Sequence, residues 1–304
     1  MRHARSWAQR GGKQPTVSYR LGQARTAAVT GAGTGLGREI ALQLCAKGYR
    51  VFGTGLAEKQ LDDLSAASNG RVSLSLTDIT DDDAVTTWVR DVTDEVGEAG
   101  LDVLVSNAGI LTPGPLEVVP LRAIKREFDV NVFGGVAVIN AFLPALRTAR
   151  GRIVAIGSMT GRFPLPFNGP SSASKATLEA LSDVYRSELK PFGVQFVLAQ
   201  PGNLVTDGTV KTAAALQRVA DSMTDEQKAL YGAEFAKFSE AFSAEQSEGL
   251  SAQEAATRVI ELVEAHPAPI RAAIGEDAEK LLRLVRENSD EDLDVMRQWY
   301  AGLA

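Results

Sequence analysis

The chain has 304 residues, of which 44% are hydrophobic and 23% charged, as is typical of a globular protein. Its formal charge of −6 is uneven: residues 1–38 hold seven basic side chains and no acid, so the rest of the chain carries −13. An acidic body argues against nucleic acid as the main partner, and no apolar run approaches the ~18 residues that a membrane span needs.

The scarcity of cysteine and histidine excludes several kinds of site. The single Cys45 cannot form a disulfide framework within the chain or a multi-cysteine metal site. The two histidines, His3 and His266, lie outside every motif, which argues against histidine-based triads and histidine-ligated metals. We therefore expect no metal, and chemistry that uses hydroxyls, lysine, carboxylates or a bound cofactor.

The basic N-terminal segment, residues 1–24, lacks the apolar core of a signal peptide. An arginine-rich start without acids also resembles an organelle transit sequence. We interpret it instead as a flexible extension or a misassigned start, and we expect a cytoplasmic protein.

The elements that follow alternate between strand and helix. An apolar run at 26–30 enters the glycine-rich turn GAGTGLG at 31–37, and an amphipathic stretch follows it. Such a strand–turn–helix unit brings backbone N–H groups to a helix N-terminus, where a pyrophosphate can bind. The further predicted strands are 50–54, 71–76, 101–109, 151–158, 194–202 and 269–275.

Helices are predicted between these strands, with a helix start at Thr80 or Asp81. The other predicted helices cover about 57–68, 120–148, 171–193, 211–266 and 276–303. The alternation implies βαβ units and a parallel sheet wound in the right-handed sense, and no linker or repeat interrupts it. We predict an α/β fold, a doubly wound parallel sheet of about seven strands flanked by helices, in a single domain.

Seven motifs occur in an order and spacing that resemble those of the short-chain dehydrogenase/reductase family. They are TGAGTGLG at 30–37, Asp78, NAG at 107–109, Asn131, Ser158, Lys175 and PGNLVT at 201–206. The resemblance implies a Rossmann-type fold over 25–275, with a substrate lid at about 204–248 and a helical extension at 276–304. The tail from Pro269 is similar to the hydroxysteroid and retinol dehydrogenase branch.

The resemblance implies a site for NAD or NADP made of four segments, which would hold the pyrophosphate, the adenine, the cofactor cleft and the nicotinamide. In that order they are Gly31, Thr34, Gly35, Leu36 and Gly37; Asp78 and Ile79; Asn107, Ala108 and Gly109; and Pro201, Gly202 and Thr206. NAD enzymes of this kind usually end the second strand with an acid, and NADP enzymes place a basic residue nearby. Here Gly55 and Leu56 end that strand, so we lean slightly to NAD, while Lys59 and Arg38 keep NADP open.

The catalytic positions show one departure from the family, which has a tyrosine four residues before the lysine, where this chain has Ser171. The resemblance implies that Asn131 anchors a water in a proton relay and that Ser158 hydrogen-bonds the substrate oxygen. Lys175 would grip the nicotinamide ribose and act electrostatically on position 171. On their own, Asp78, Asn131 and Lys175 also fit a helix cap, a buried structural amide and a solvated charge.

Ser171 predicts a weakened enzyme. A tyrosine hydroxyl, with a pKa of about 10, is tuned toward working pH by an adjacent cation, whereas a serine hydroxyl is a much weaker acid on a shorter side chain. The residue is either an engineered Tyr→Ser substitution, a natural variant in which another group or a water relay replaces the tyrosine, or the mark of a protein without redox chemistry. Tyr185 is not a substitute, because ten residues of helix turn it off the face of Lys175.

The leading functional hypothesis is an NAD(P)-dependent alcohol dehydrogenase or carbonyl reductase that interconverts a secondary alcohol and a ketone. The alternatives are a non-redox isomerase, cyclase or lyase that uses Lys175 and Ser158, and a catalytically silent nucleotide-binding protein. By analogy with the family, the helices at 120–148 and 170–191 would pair subunits in a homodimer or homotetramer.

The substrate side is rich in apolar residues. They are Phe163, Leu165, Pro166 and Phe167 before position 171, and Met223, Leu230, Tyr231, Phe235, Phe238 and Phe242 in the helical insertion. These side chains either line a pocket for an apolar, medium-sized small molecule or form the packed face of a helix.

Overall fold

The computed structural model describes residues 24–303, so all but one residue of the predicted N-terminal extension lies outside the described part. Seven of its strands form one sheet, and two short ones pair separately. The strands are β1 (Thr26–Val29), β2 (Arg50–Gly55), β3 (Val72–Leu76), β4 (Val103–Ser106), β5 (Arg152–Ile156), β6 (Gln195–Pro201), β7 (Leu204–Val205), β8 (Leu250–Ser251) and β9 (Arg271–Ile274).

Helices connect the strands and cover both faces of the sheet. They are α1 (Gly35–Ala46), α2 (Glu58–Ala67), α3 (Asp82–Val96), α4 (Leu121–Phe128), α5 (Gly135–Ala149), α6 (Gly169–Leu189), α7 (Asp207–Ser222), α8 (Asp225–Gln227), α9 (Ala233–Ser247), α10 (Ala252–Glu264), α11 (Glu276–Glu287) and α12 (Asp290–Tyr300). Asp81 caps α3, since its side chain accepts hydrogen bonds from the N–H groups of Asp83 and Ala84.

The large sheet is parallel throughout, in the order β3-β2-β1-β4-β5-β6-β9. This confirms the predicted doubly wound, Rossmann-type architecture of seven strands in one domain. The chain moves outward from β1 to β3 and then returns to the other side of β1 with β4. In such a sheet the crevice beyond the carboxyl ends of the two strands at the reversal, here β1 and β4, is where ligands bind.

The sheet is buried on both faces, which explains why its strands read as apolar runs. Along β1, Ala27 and Val29 face a core cluster that includes side chains of α1 and α10, whereas Ala28 faces the other, which includes α3 and α5. This alternation follows from the two-residue period of a strand. In the second cluster the rings of Trp88 and Phe142 meet edge to face, 5.1 Å between centroids.

The predicted helical region over about 120–148 is confirmed, but its middle is not regular α-helix. The helix has π geometry from Asp129 to Gly134, between α4 and α5. A π turn widens the hydrogen-bonding interval to five residues, re-aims the side chains within it and often marks a functional site. Asn131 lies in this turn.

The same stretch, Leu121–Ala149, is the one helix in the described part of the chain that is long and apolar enough to cross a membrane, with a mean hydropathy of 1.5. Of its most apolar window, 56% is buried inside the fold. Because long core helices share this length and composition, these properties alone carry no membrane assignment. The expected absence of a membrane span stays a prediction.

The C-terminal helices pack on the loop after β5. Phe163 and Leu165 of that loop are buried together with Leu281 and Leu282 of α11 and Leu293 of α12. Phe163 and Leu165 therefore belong to a packed interior rather than to an open pocket.

Candidate active site

The glycine turn between β1 and α1 has the geometry that a pyrophosphate needs. Gly31 and Gly35 have φ angles of +65° and +53°, in the left-handed region that favours glycine. A Cβ on Gly37 would overlap the carbonyl oxygen of Gly31. Thr34 is the N-cap of α1 and makes no side-chain capping bond. Because the first turn of α1 also holds no acid, the backbone N–H groups of this turn can bind an anion.

The predicted cleft segment at 107–109 is tied to the end of β1. The hydroxyl of Thr30 accepts hydrogen bonds from the backbone N–H groups of Asn107 (2.9 Å) and Ala108 (3.0 Å). The side-chain amide of Asn107 donates to the carbonyl oxygen of Thr30 at 2.9 Å. These bonds hold the segment at the crevice between β1 and β4, beside the glycine turn.

Asp78 and Ile79 follow β3, next to the helix of Asn131. The carbonyl oxygen of Ile79 lies so close to Gly134 that a Cβ there would be 2.8 Å from it. Asp78 accepts hydrogen bonds from Arg126 at 3.0 Å and from both donors of Thr80. Partial burial raises the pKa of Asp78, but these hydrogen bonds outweigh it and leave the pKa lowered.

The segment predicted to lie by the nicotinamide is divided between two places. The side chain of Thr206 approaches the glycine turn, 3.6 Å from where a Cβ on Gly35 would stand. Pro201 ends β6, and a Cβ on Gly202 would overlap the carboxylate of Asp277 in α11. The structure therefore joins Thr206 to the pyrophosphate turn and packs Gly202 against the C-terminal helices.

Asn131 ties three elements together from within the π turn. Its Oδ1 accepts from the N–H of Ile110 at 2.8 Å, and its Nδ2 lies 3.0 Å from the carbonyl oxygen of Ile110. The same Nδ2 lies 3.0 Å from Ser174 Oγ on α6 and 3.2 Å from Glu127 Oε1 on α4. Asn131 is thus buried and fixed by hydrogen bonds at the base of the cleft, and its role in anchoring a water stays a prediction.

Lys175 points inward from α6. Its Nζ donates to the carbonyl oxygen of Ile156, at the end of β5, at 2.8 Å. Both this ammonium and Asn131 Oδ1 flank Gly109, 3.8 and 3.2 Å from where a Cβ there would stand. Burial lowers the pKa of Lys175 to about 8, an effect that the nearby Glu127 opposes. The alternative of a solvated helix charge is wrong.

Ser158 begins the short helical turn after β5, which packs against α6. Its Oγ accepts from the N–H of Thr160 at 3.1 Å and from the hydroxyl of Thr160 at 2.9 Å. With both of these donors directed at its oxygen, the group that Ser158 can offer to a substrate oxygen is its own O–H.

Ser171 lies in the first turn of α6 and is buried. Its hydroxyl lies beside the carboxyl group of Glu127, a residue that the sequence analysis missed. Glu127 is 0% exposed. A signal was present: Glu127 stands four residues before Asn131, on the same face of the helix, so an inward Asn131 implies an inward carboxyl group.

Tyr185 lies away from the site, as predicted. Its hydroxyl donates to Asn140 Oδ1 at 2.9 Å, and its ring stacks on that of Phe196 at 5.5 Å between centroids.

The aromatic residues of the insertion pack mainly on one another. Phe235 and Phe238 are buried, and the ring of Phe167 lies 5.6 and 5.5 Å from theirs. Met223 and Phe242 belong to the same cluster, whereas Leu230 is 62% exposed. Partly buried Leu111 and Val118, from the loop after β4, border the cluster and give the site an apolar neighbour.

A cavity of about 630 Å³ lies elsewhere, between α9, α10, β9 and α11. Asn203, Glu245, Leu250 and Tyr300 are among its lining residues, and the residues predicted to be catalytic are not.

Comparison with known proteins agrees with this geometry. Residues 25–217 match the family model described as short chain dehydrogenase. The chain is 35% identical over 210 residues to mouse retinol dehydrogenase 16, a match that covers 68% of this chain and 66% of the relative. It is 35% identical over 201 residues to human 17-beta-hydroxysteroid dehydrogenase type 6, covering 66% and 63%. The chain thus spans just under two thirds of the length of these relatives.

Among solved structures, a short-chain dehydrogenase from Streptomyces avermitilis has the same fold, with a TM-score of 0.73 at 27% identity. The superposition covers 91% of this chain and 99% of that one.

Proposed function

Because the chain belongs to the short chain dehydrogenase family, we propose that it is an NAD(P)-dependent oxidoreductase that interconverts a secondary alcohol and a ketone on an apolar small molecule. The observation that carries this proposal is the convergence of Lys175 and Asn131 on Gly109, at the crevice that the glycine turn also borders. The cofactor supplies or accepts the hydride when it is bound.

The chain's own residues orient the reactants and manage the proton. The backbone of the glycine turn binds the pyrophosphate, and Asp78 and Ile79 border the adenine end. Ser158 donates its hydroxyl to the substrate oxygen, and the ammonium of Lys175 stabilises negative charge near position 171. Because the pKa of Lys175 is about 8, its side chain is protonated in most molecules at neutral pH.

We propose NAD as the preferred nucleotide. Leu56 follows β2 and is 70% exposed, and its N–H is bonded to Gln60 Oε1 at 2.9 Å. Arg38, the cation nearest in sequence to the glycine turn, pairs with Glu39 at 3.0 Å. With that cation engaged, a 2′-phosphate gains little charge stabilisation here, and NADP is the second candidate.

The proposed substrate is apolar because apolar residues border the site. Leu111, Val118 and Phe167 adjoin the buried aromatic cluster of the insertion, close to Ser171 in the chain and to the segment at 107–109. The relatives are named for retinol and 17-beta-hydroxysteroid, and we propose a hydrophobic alcohol or ketone of similar character for this chain.

Replacing Ser171 with tyrosine tests the function. With NADH or NADPH and a panel of apolar ketones, or with NAD⁺ or NADP⁺ and the corresponding alcohols, Ser171→Tyr should raise turnover, by up to roughly 10²-fold, because a directly positioned acid or base contributes about 10² to 10⁴. Ser171→Phe, which adds the ring without the hydroxyl, is the matched control and should give no gain. A tyrosine variant that binds neither nucleotide and turns over nothing on the panel refutes the proposal. Turnover without a change in nicotinamide absorbance points to a non-redox enzyme.

We also propose a homodimer or homotetramer that pairs through the helices around the site. Phe133 in the π turn and Val184 on α6, two adjoining helical segments, are 62% and 50% exposed, so a partner subunit could cover both. Light scattering should give a multiple of 32.3 kDa, and Phe133→Asp should shift the mass toward the monomer.

A further inference from the structure

A buried carboxyl group lies where the family's tyrosine is missing. Glu127 is fully buried on α4, and among residues 24–303 no donor meets its Oε2 with hydrogen-bond geometry. Asn131 Nδ2 lies 3.2 Å from its Oε1. A carboxyl group without a full set of partners is costly to bury and calls for an explanation.

The groups that face Glu127 come from each element packed against α4. Ser171 of α6 faces it with a hydroxyl, Thr112 of the loop after β4 with a hydroxyl and an N–H, and Lys175 of α6 with its charge. Burial raises the pKa of Glu127, and these three neighbours oppose that rise. The carboxyl group is thus held by hydroxyls and one ammonium, a setting in which it can exchange a proton.

A second buried glutamate shows that burial alone does not create this setting. Glu179 lies one turn beyond Lys175, and its Oε1 accepts from Gln200 Nε2 at 2.6 Å. Arg271 lies 3.7 Å from its other oxygen. Like Glu127 Oε2, this second oxygen has no hydrogen-bond partner among residues 24–303. The difference lies in the neighbours: an amide and a guanidinium, which cannot pass a proton on, adjoin Glu179, whereas a hydroxyl that can adjoins Glu127.

We propose that Glu127 replaces the missing tyrosine as the source and acceptor of the proton, acting through the hydroxyl of Ser171. This inference rests on the proposed oxidoreductase function. It favours a natural variant, in which a different pair of residues performs the tyrosine's task, over an engineered substitution.

The proton transfer balances as follows for ketone reduction. A hydride, which the reduced nicotinamide would supply on becoming oxidised, forms the new C–H bond as the carbonyl π bond opens. The Ser171 O–H proton passes to the substrate oxygen, and the Glu127 carboxyl proton passes to Ser171 Oγ. The products are the alcohol, an intact Ser171 hydroxyl and a Glu127 carboxylate, which Lys175 stabilises until it regains a proton from solvent. Alcohol oxidation runs the same transfers in reverse.

The relay is tested by making the same substitutions in two forms of the full chain, one with Ser171 and one with Ser171→Tyr. Glu127→Gln keeps the shape and an acceptor for Asn131 but cannot supply a proton. In the Ser171 protein it should lower turnover by roughly 10² to 10⁴-fold, whereas in the Ser171→Tyr protein, which has its own acid, it should change turnover less than about 3-fold. Glu127→Asp should restore part of the activity. The matched control, Glu179→Gln, should have the same effect in both backgrounds.

A second readout needs neither cofactor nor substrate. The carboxyl stretch of Glu127 in the unliganded protein, identified by its loss in Glu127→Gln, can be followed by infrared difference spectroscopy against pH. The pKa should lie above that of ordinary glutamates, and Ser171→Ala should raise it further, since the Ser171 hydroxyl lowers it. In the Ser171 protein, ketone reduction should fall as pH rises through this pKa, because the reaction needs the protonated acid.

Each outcome decides between the two proposals. Equal losses in both backgrounds, or no loss in the Ser171 protein, overturn the relay while leaving the oxidoreductase function intact. Activity that is found in the Ser171→Tyr protein but not in the Ser171 protein also overturns the relay and leaves the oxidoreductase function intact. If neither background turns over substrate, the oxidoreductase proposal fails. In that case the relay is tested independently by the Glu127 titration, and a Glu127 pKa that is the same in Ser171→Ala overturns it.

Discussion

Lys175 carries a charge that its surroundings disfavour. Its ammonium is held against the carbonyl oxygen of Ile156 at 2.8 Å, and burial lowers its pKa from 10.5 to about 8. A lysine whose folded-state pKa is lowered costs stability when protonated, and the cost disappears as pH rises toward the unfolded value. The buried ammonium of Lys175 therefore lowers the stability of the folded protein, and such perturbed groups are common at sites of catalysis.

The cost of the Lys175 charge is measurable. Between pH 8 and about 10.5 the unfolded chain binds more protons than the folded one, so the free energy of unfolding gains a rising contribution with pH. Lys175→Met removes this contribution. Relative to wild type, the variant should be more stable at pH 7 than at pH 10.5, by up to about 3 kcal/mol in urea unfolding.

The exposed Lys59 on α2 provides the matched control. Lys59→Met should keep the pH dependence of the wild type. If the difference between Lys175→Met and wild type stays constant over this pH range, the ammonium is not held at a cost.

At the scale of single elements, the glycine turn makes the most specific demand on the sequence. Gly37 lies in the first turn of α1, where any Cβ would overlap the carbonyl oxygen of Gly31. Gly37→Ala should push α1 away from the turn and lower nucleotide affinity by at least 10-fold, as measured by nucleotide fluorescence titration.

Gly232, which is also helical, provides a control that distinguishes the effect of this clash from the effect of replacing a helical glycine in general. The nearest atom to a Cβ there is Lys228 Cβ at 3.7 Å, an ordinary contact. Gly232→Ala should leave nucleotide affinity unchanged and stabilise the protein by up to about 1 kcal/mol. Equal nucleotide affinity in both alanine variants would show that the turn does not hold the pyrophosphate.

The helix between β4 and β5 shows where prediction from sequence stops. Apolar periodicity located the helix, but the π turn at Asp129–Gly134 depends on tertiary contacts, above all the bonds from Asn131 to Ile110 and Ser174. Those partners come from distant parts of the chain. The spacing of four residues from Asn131 could have indicated that Glu127 is buried, but not what it contacts, because its neighbours Thr112 and Ser171 are adjacent to it only in the folded protein.

At the scale of the whole molecule, the fold was predictable because strands and helices alternate along the chain. Parallel strands need crossover helices, and the right-handed rule leaves few ways to arrange them. The position of the C-terminal helices was not predictable, since α11 and α12 contact the loop of Phe163 and Leu165 by packing alone. Because of this contact Phe163 and Leu165, two candidates for the substrate pocket, are part of the packed interior instead.

Arg152 joins the C-terminal part of the fold to the sheet. It lies on β5, only 4% exposed, and its Nη1 donates to the carbonyl oxygens of Leu262 and Val263, both at 2.6 Å. Its Nη2 donates to the carbonyl oxygen of Ala265 at 2.9 Å. These carbonyls lie at the C-terminal end of α10, where the helix itself provides no donors and a cation is favoured.

Removing this arginine should loosen α10 from the sheet. Arg152→Met keeps much of the apolar stem but leaves the buried carbonyl oxygens without their donor, so the free energy of unfolding should fall by about 3 kcal/mol. Urea unfolding measures the loss, and hydrogen exchange should rise first in α10. Arg90→Met, at a side chain that is 65% exposed and paired with its neighbour Asp91, should change stability by less than about 0.5 kcal/mol. Equal stability of the two variants would show that the end of α10 is held by packing rather than by Arg152.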